Sequence, residues 1–203
     1  MIIGSFDIGE KNFAYCIGND TCINRWVHVD VMFDTTTTTT TTPSSHQPRQ
    51  PSQRRRRQPI IDSCKRISDV LDAEDWTKCD EIIIEQQMTR NVRAQRVAQH
   101  VWTWFSIKYP LTNPSFVASS LKTQSFIGKN ELKNGKERKE WSVNKTKQLL
   151  IEMNDIDNLA RLETNNKRDD LCDAYLQLRA YLLKKITKPT VGHPRRPRRR
   201  LRP

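Results

Sequence analysis

Apolar and polar positions follow two different periods along this chain, and the switches between them mark its elements. Residues 2–8 (IIGSFDI) form a short apolar run that stops at Gly9, as a buried strand does. Residues 13–19 and 22–33 predict two more strands. In WVHVDVMF, apolar and polar residues alternate with the period of two expected of a half-exposed strand. Three strands in succession predict an antiparallel meander. Beyond residue 59 the period lengthens: Ile60, Ile61, Cys64, Ile67, Ser68 and Leu71 share one face of a helix over 60–75. Residues 81–87 (EIIIEQQ) are short and rich in β-branched residues, which predicts a buried central strand. A long helix follows over 90–108, with Val97, Val101, Trp104 and Phe105 facing inward and Arg90, Arg93 and Arg96 near its start. SFVAS at 115–119 reads as another strand, 120–140 as a long charged connection, and 142–154 and 167–186 as helices. This order predicts an α/β fold: a mixed five-stranded sheet with helices on both faces.

Two segments have neither period. Residues 35–58 hold eight threonines followed by Pro, Ser, Gln and Arg, and 187–203 are dominated by Arg and Pro. Neither composition can bury a core, so both are expected to be disordered: an insert on the rim of the domain and a tail behind it. They also account for the charge. Of the formal net charge of +12, residues 35–58 contribute +5 and 184–203, the tail with Lys184 and Lys185 just before it, contribute +9, which leaves the rest of the chain at −2. Such basic segments attract phosphate without selecting sequence, and they equally suit a nuclear-import signal or a solvated linker. The five cysteines form no CxxC or Cys/His array and read as reduced, intracellular thiols. No apolar run is long enough to span a membrane, and MIIGSFDIG lacks the features of a secretory leader. The absence of GxxxxGK[ST] argues against a nucleotide cofactor held in a P-loop.

Acidic residues beside apolar elements supply the candidate chemistry. Asp7 lies at the end of the first strand. Glu85 shares a face with Ile83 and Gln87 on the central strand, where an unpaired carboxylate would bear a desolvation cost. Asp170 and Asp173, three apart in RDDLCDAYLQL, share one face of the last helix, while Asp169 points elsewhere. Taken singly, Asp7 is also what a turn before glycine attracts, and the three aspartates are what a helix N-terminus attracts. Taken together, carboxylates on a rigid scaffold make an oxygen-lined site for Mg²⁺ or Mn²⁺, and two such ions suit phosphodiester hydrolysis.

The motifs SFDIGEKNFAYCI, DEIIIEQQ and KRDDLCDAYL, in that order, resemble those of RuvC-like Holliday junction resolvases of the RNase H-like superfamily. The resemblance is in particular to the resolvases of poxviruses and other large DNA viruses, and it covers 1–183. It implies an RNase H-like nuclease domain over about 1–186, with Asp7, Glu85, Asp170 and Asp173 holding two Mg²⁺ ions (Mn²⁺ substituting). It also implies a homodimer that cuts opposite strands of branched DNA inside a host cell, in nucleus or cytoplasm. The family carries basic residues before the penultimate helix. Here Lys139 is the nearest match for a cation assisting catalysis, with Arg138, Lys145 and Lys147 as rivals that could instead bind DNA. Lys11, Asn12 and Gln86 are further candidates for contact with the substrate strand. Three other functions compete: a flap or RNA–DNA hybrid nuclease on the same fold, a basic nucleic-acid-binding protein without catalysis, and a sugar-kinase or actin-like ATPase. The last needs more glycine than the six present.

Overall fold

The structure is a computed structural model that describes residues 1–9, 11–31, 60–128, 132 and 134–187. The predicted insert at 35–58 and the tail beyond Thr187 lie outside the described residues, as do Met32 and Phe33 of the third predicted strand. Five strands form one sheet: β1 (Ile3–Ile8), β2 (Asn12–Gly18), β3 (Ile23–Asp30), β4 (Glu81–Gln86) and β5 (Ser115–Ala118). Their order is β3-β2-β1-β4-β5. The first three make the predicted antiparallel meander, whereas β4 and β5 run parallel to β1. The carboxyl ends of β1, β4 and β5 therefore meet along one rim of the sheet. In open α/β sheets that rim is where ligands bind.

Helices α1 (Ile60–Asp72) and α2 (Val92–Lys108) pack on one face of the sheet. There Phe6, Phe13, Tyr15, Ile82 and Ile84 meet Ile67, Leu71, Val97, Val101 and Phe105, with Trp76 wedged among them. Gly4 leaves room at this contact: a Cβ on it would lie 2.7 Å from Ile82 Cδ1 and 3.3 Å from the Trp76 ring, so a larger residue would force these side chains to shift. The other face is covered by α3 (Leu121–Phe126), α4 (Gly135–Glu152), α5 (Ile156–Thr164) and α6 (Arg168–Thr187). Alternation along the strands sorts the side chains: Ile3, Ala14, Cys16, Trp26 and Ile83 turn toward α6, and their neighbours turn toward α1 and α2.

Three departures from the sequence reading have local causes. The charged connection predicted over 120–140 contains α3 and the start of α4. Helix α4 begins seven residues before the predicted 142 because Asn134 caps it: the Asn134 side chain accepts from the Glu137 N–H at 3.0 Å, and its Nδ2 donates to Glu137 Oε1 at 2.7 Å. Helix α5 was not predicted. Asn154 ends the preceding helix at φ 55°, and Asp155 caps the next by accepting from the Asn158 N–H at 3.2 Å. Finally, Ile61 is 58% exposed, and Ser63 takes its place in the buried face of α1.

Helix α6 is fixed to the sheet by polar contacts as well as apolar ones. Buried Gln177 donates from Nε2 to Ser5 Oγ at 3.1 Å and to the Phe6 carbonyl at 3.2 Å, both on β1. Trp26 of β3 donates from Nε1 to the Leu171 carbonyl at 2.8 Å in the first turn of α6. Removing one member of a buried pair strands the other, at about 1–3 kcal/mol. Gln177→Ala should therefore lower the unfolding free energy by roughly that amount. Urea unfolding followed by circular dichroism measures it, and an unchanged midpoint would show that the contact contributes nothing net.

Candidate active site

The rim at the carboxyl ends of the parallel strands gathers three of the four predicted acids. Asp7 and Glu85 are the penultimate residues of β1 and β4. The register pairs Phe6 with Ile84, which brings Asp7 and Glu85 side by side, close enough for Glu85 to push the Asp7 carboxyl up. Asp173 reaches the same rim from α6. It accepts from Ser142 Oγ of α4 at 2.6 Å through Oδ1, and its Oδ2 lies 2.6 Å from Lys122 Nζ. Asp170, one turn earlier, faces the opposite way along the rim. Its Oδ2 lies 3.5 Å from His28 Nε2 on β3.

Lys122 is the residue that sequence reasoning passed over. It sits in α3, just past the end of β5, and its side chain is only 12% exposed. Burial opposes its charge, but the attraction of Asp173, Glu85 and Asp7 outweighs burial and holds its proton above the usual lysine range. In sequence it is one of eight Lys and Arg over 122–147. The signal that distinguishes it is its place directly behind a parallel strand, visible only once 115–119 is known to lie next to β4.

Lys139, the nearest match from sequence, stands elsewhere. Its side chain is 71% exposed and its Nζ donates to Asp169 Oδ2 at 2.6 Å. Burial works to raise the Asp169 carboxyl, but that bond and the lysine's charge hold it below the ordinary range. Arg138 is exposed on the same helix. Lys145 donates to Gln148 at 3.1 Å and lies over the Phe126 ring, and Lys147 pairs with Glu163 at 3.0 Å. Lys11 is exposed in the turn joining β1 to β2, whose closure is the Gly9 N–H donating to the Asn12 carbonyl at 2.8 Å. Gln86 is exposed at the end of β4. It lines a cleft of about 480 Å³ on the α2 side of the sheet together with Gln87, Gln95, Arg96 and Phe116.

The donor set suits a hard divalent cation: carboxylate oxygens and a hydroxyl, with buried Asp170 Oδ2 lacking any hydrogen-bond partner. The spacing, however, is that of a cluster drawn around an ammonium. Among the described residues, no three His, Cys, Asp or Glu side chains converge on one point.

This crowding has a consequence for stability. Burial, and after it the neighbouring Glu85 carboxyl, raise the Asp7 carboxyl well above its ordinary range, with Lys122 opposing. A carboxyl raised on folding contributes stability that is complete below the ordinary carboxylate pKa. That stability is lost as pH rises through the folded-state value. In the absence of metal, Asp7→Asn should melt higher than the parent at pH 7, by about 2–4 °C for each kcal/mol of strain relieved, and the gap should close toward pH 4. Thermal melts across this pH range in chelator test it, and a gap that widens in acid would reverse the sign.

No protein-family model matches the chain. Two curated relatives do, both of uncharacterized function. Protein 170L of Invertebrate iridescent virus 6 is 29% identical over 126 residues, 52% of this chain and 51% of that protein. Protein 97L of Invertebrate iridescent virus 3 is 25% identical over 207 aligned residues, 89% of this chain and 98% of that protein. The chain thus spans about half the length of the first and nearly all of the second. Among solved structures, RuvC of Thermus thermophilus superposes with a TM-score of 0.51 at 11% identity, covering 91% of this chain and 97% of that one. The fold is therefore RuvC-like, an RNase H-type mixed five-stranded sheet with helices on both faces, as the motifs imply.

Proposed function

We propose that this protein is a divalent-metal-dependent endonuclease of the viral RuvC type that resolves four-way DNA junctions, acting as a homodimer so that paired sites cut opposite strands. The observation that carries the reading is the seat at the sheet rim, where Asp173 pairs with Lys122 and the charges of Glu85 and Asp7 act on the same ammonium. It lies on a RuvC-like fold with Asp170 one helical turn away. The relatives in two iridescent viruses are themselves uncharacterized, so the viral type rests on the sequence motifs alone. Asp7, Glu85, Asp170 and Asp173 would hold two Mg²⁺ ions, with Mn²⁺ as a substitute. When bound, such ions activate a water and stabilise the leaving oxygen of a phosphodiester.

The chain's own groups have distinct parts in this reading. Ser142 orients the Asp173 carboxylate through its hydrogen bond. Lys122 neutralises the acids before DNA arrives and then turns its ammonium toward the scissile phosphate, where a fixed cation offsets the charge that builds in the transition state. Lys11 and Asn12, at the turn after β1, and Gln86, at the end of β4 on the opposite face from the acids, would meet the sugar–phosphate backbone in this reading. The basic segments 35–58 and 187–203 add salt-dependent attraction to DNA of any shape.

One observation favours a non-catalytic DNA-binding protein instead. Lys122 already satisfies the acids, and a lysine that never leaves them would exclude metal. Incubation with a four-way junction, duplex, flap and RNA–DNA hybrid, in Mg²⁺, Mn²⁺ or EDTA, separates the possibilities. Symmetric cuts in the junction alone, abolished by EDTA, are expected. Cleavage that persists in chelator, or prefers the hybrid or flap, overturns the reading.

The same assay ranks the residues. Asp7→Asn, Glu85→Gln, Asp170→Asn and Asp173→Asn should each lower cleavage by orders of magnitude while junction binding survives. Lys122→Gln should lower it by about a hundredfold or more, and Lys139→Ala by only a few-fold. The reverse order for the two lysines would reassign the catalytic cation.

A further inference from the structure

The contact between His28 and Asp170 has no place in the four-carboxylate scheme. Register sets His28 opposite Ala14 on β2, and Ala14 opposite Asp7 on β1. His28 therefore lies in the same row and on the same sheet face as the acids, with only the small Ala14 side chain between it and Asp7. The approach of β3 to the first turn of α6 is fixed by the neighbouring bond from Trp26 to the Leu171 carbonyl, 2.8 Å long and buried. Within that frame, His28 Nε2 and Asp170 Oδ2 face each other 3.5 Å apart. Both atoms are buried, and neither has a hydrogen-bond partner.

This geometry fits neither common explanation. A charge-assisted bond between imidazole and carboxylate closes to about 2.7–2.9 Å, and this pair stays open although both elements are anchored beside it. Buried polar atoms without a hydrogen bond are rare in proteins, and here two of them face one another. Two donors each about 2.1 Å from one ion and separated by the observed distance subtend about 110° at it, within the range of first-sphere angles. Two protein donors suffice where waters complete the sphere.

We propose that His28 is a direct metal ligand, sharing with Asp170 one ion of the candidate site through an Nε2/Oδ2 pair, and that this nitrogen makes the site favour Mn²⁺ over Mg²⁺. The inference rests on the reading of the rim as a metal site and adds a fifth ligand from a strand that the acidic motifs do not include. Mg²⁺ takes oxygen donors and holds its waters, whereas imidazole suits first-row transition ions. A site of carboxylates alone would give Mn²⁺ a smaller advantage.

Electron spin-echo measurements on the full chain with one equivalent of Mn²⁺, together with calorimetric titrations of Mn²⁺ and Mg²⁺, test it. The wild-type protein should show ¹⁴N modulation from a bound imidazole, changed to the ¹⁵N pattern by ¹⁵N-histidine labelling. His28→Gln should lose the modulation and bind Mn²⁺ at least about tenfold more weakly, with Mg²⁺ affinity altered less than about threefold. If His28→Gln does not fold, a His46→Gln/His193→Gln variant decides. It retains only His28 and His100, and His100 is engaged with Ser68 at 2.9 Å on the opposite face. Retained modulation there supports the proposal. Bound Mn²⁺ without nitrogen coupling, or coupling unchanged in His28→Gln, overturns it while leaving the carboxylate site standing. Mn²⁺ binding that is indifferent to both His28→Gln and Asp7→Asn removes the metal site itself.

Discussion

Acids of like charge do not gather at one end of a sheet unless a cation holds them there. Asp7, Glu85 and Asp173 arrive from β1, β4 and α6, and their repulsion in a half-buried rim would push these elements apart. Lys122 resolves the conflict. Its ammonium contacts Asp173 and feels Glu85 and Asp7, and in return the acids keep it charged in a place where burial would discharge it. Asp7 still bears part of the strain, with its carboxyl forced toward the neutral form by burial and by Glu85. A site held in this state prefers a cation at its centre, whether an internal lysine or an external ion.

The scaffold bears that strain because α6 is anchored independently of the acids. Gln177 ties the helix to β1, and Trp26 ties its first turn to β3. Below them lies an apolar layer of Ile3, Cys16, Ile83, Cys172, Tyr175 and Leu176. The opposite face adds a second layer dominated by aromatic rings, with Phe6 touching Phe13, Tyr15, Trp76 and Phe105. Stability comes from these two layers and unfavourable charge is confined to the rim, the usual division between a framework and the site it carries. It explains why charge-removing changes at the rim are expected to affect chemistry far more than folding.

The charges outside this framework read differently. Lys139, Lys145 and Lys147 each have a partner or a ring nearby, with Lys139 exposed and Lys145 and Lys147 half-buried along α4. The cleft beside Gln86, lined by glutamines, Arg96 and Phe116, lies across the sheet from the acids and next to the end of β4.

What the sequence by itself determined were the strands and the long helices. Their periods differ, and each needs only local contrast between apolar and polar positions: Ile82, Ile83 and Ile84 announce β4, and Val97, Val101, Trp104 and Phe105 the inner face of α2. The acids were legible for the same reason, since a carboxylate at the end of an apolar run contradicts its surroundings. Short polar elements were not legible. Helix α5 depends on the Asp155 cap and α4 on the Asn134 cap, and a single hydrogen-bonding side chain leaves little mark on a hydrophobic pattern. Only the tertiary structure decided which cation and which imidazole join the acids. Lys122 and His28 become neighbours of Asp173 and Asp170 through strand order and register, across separations of 51 and 142 residues. No local pattern encodes contacts at that range, because what selects them is the closure of the sheet and the packing of α6 upon it.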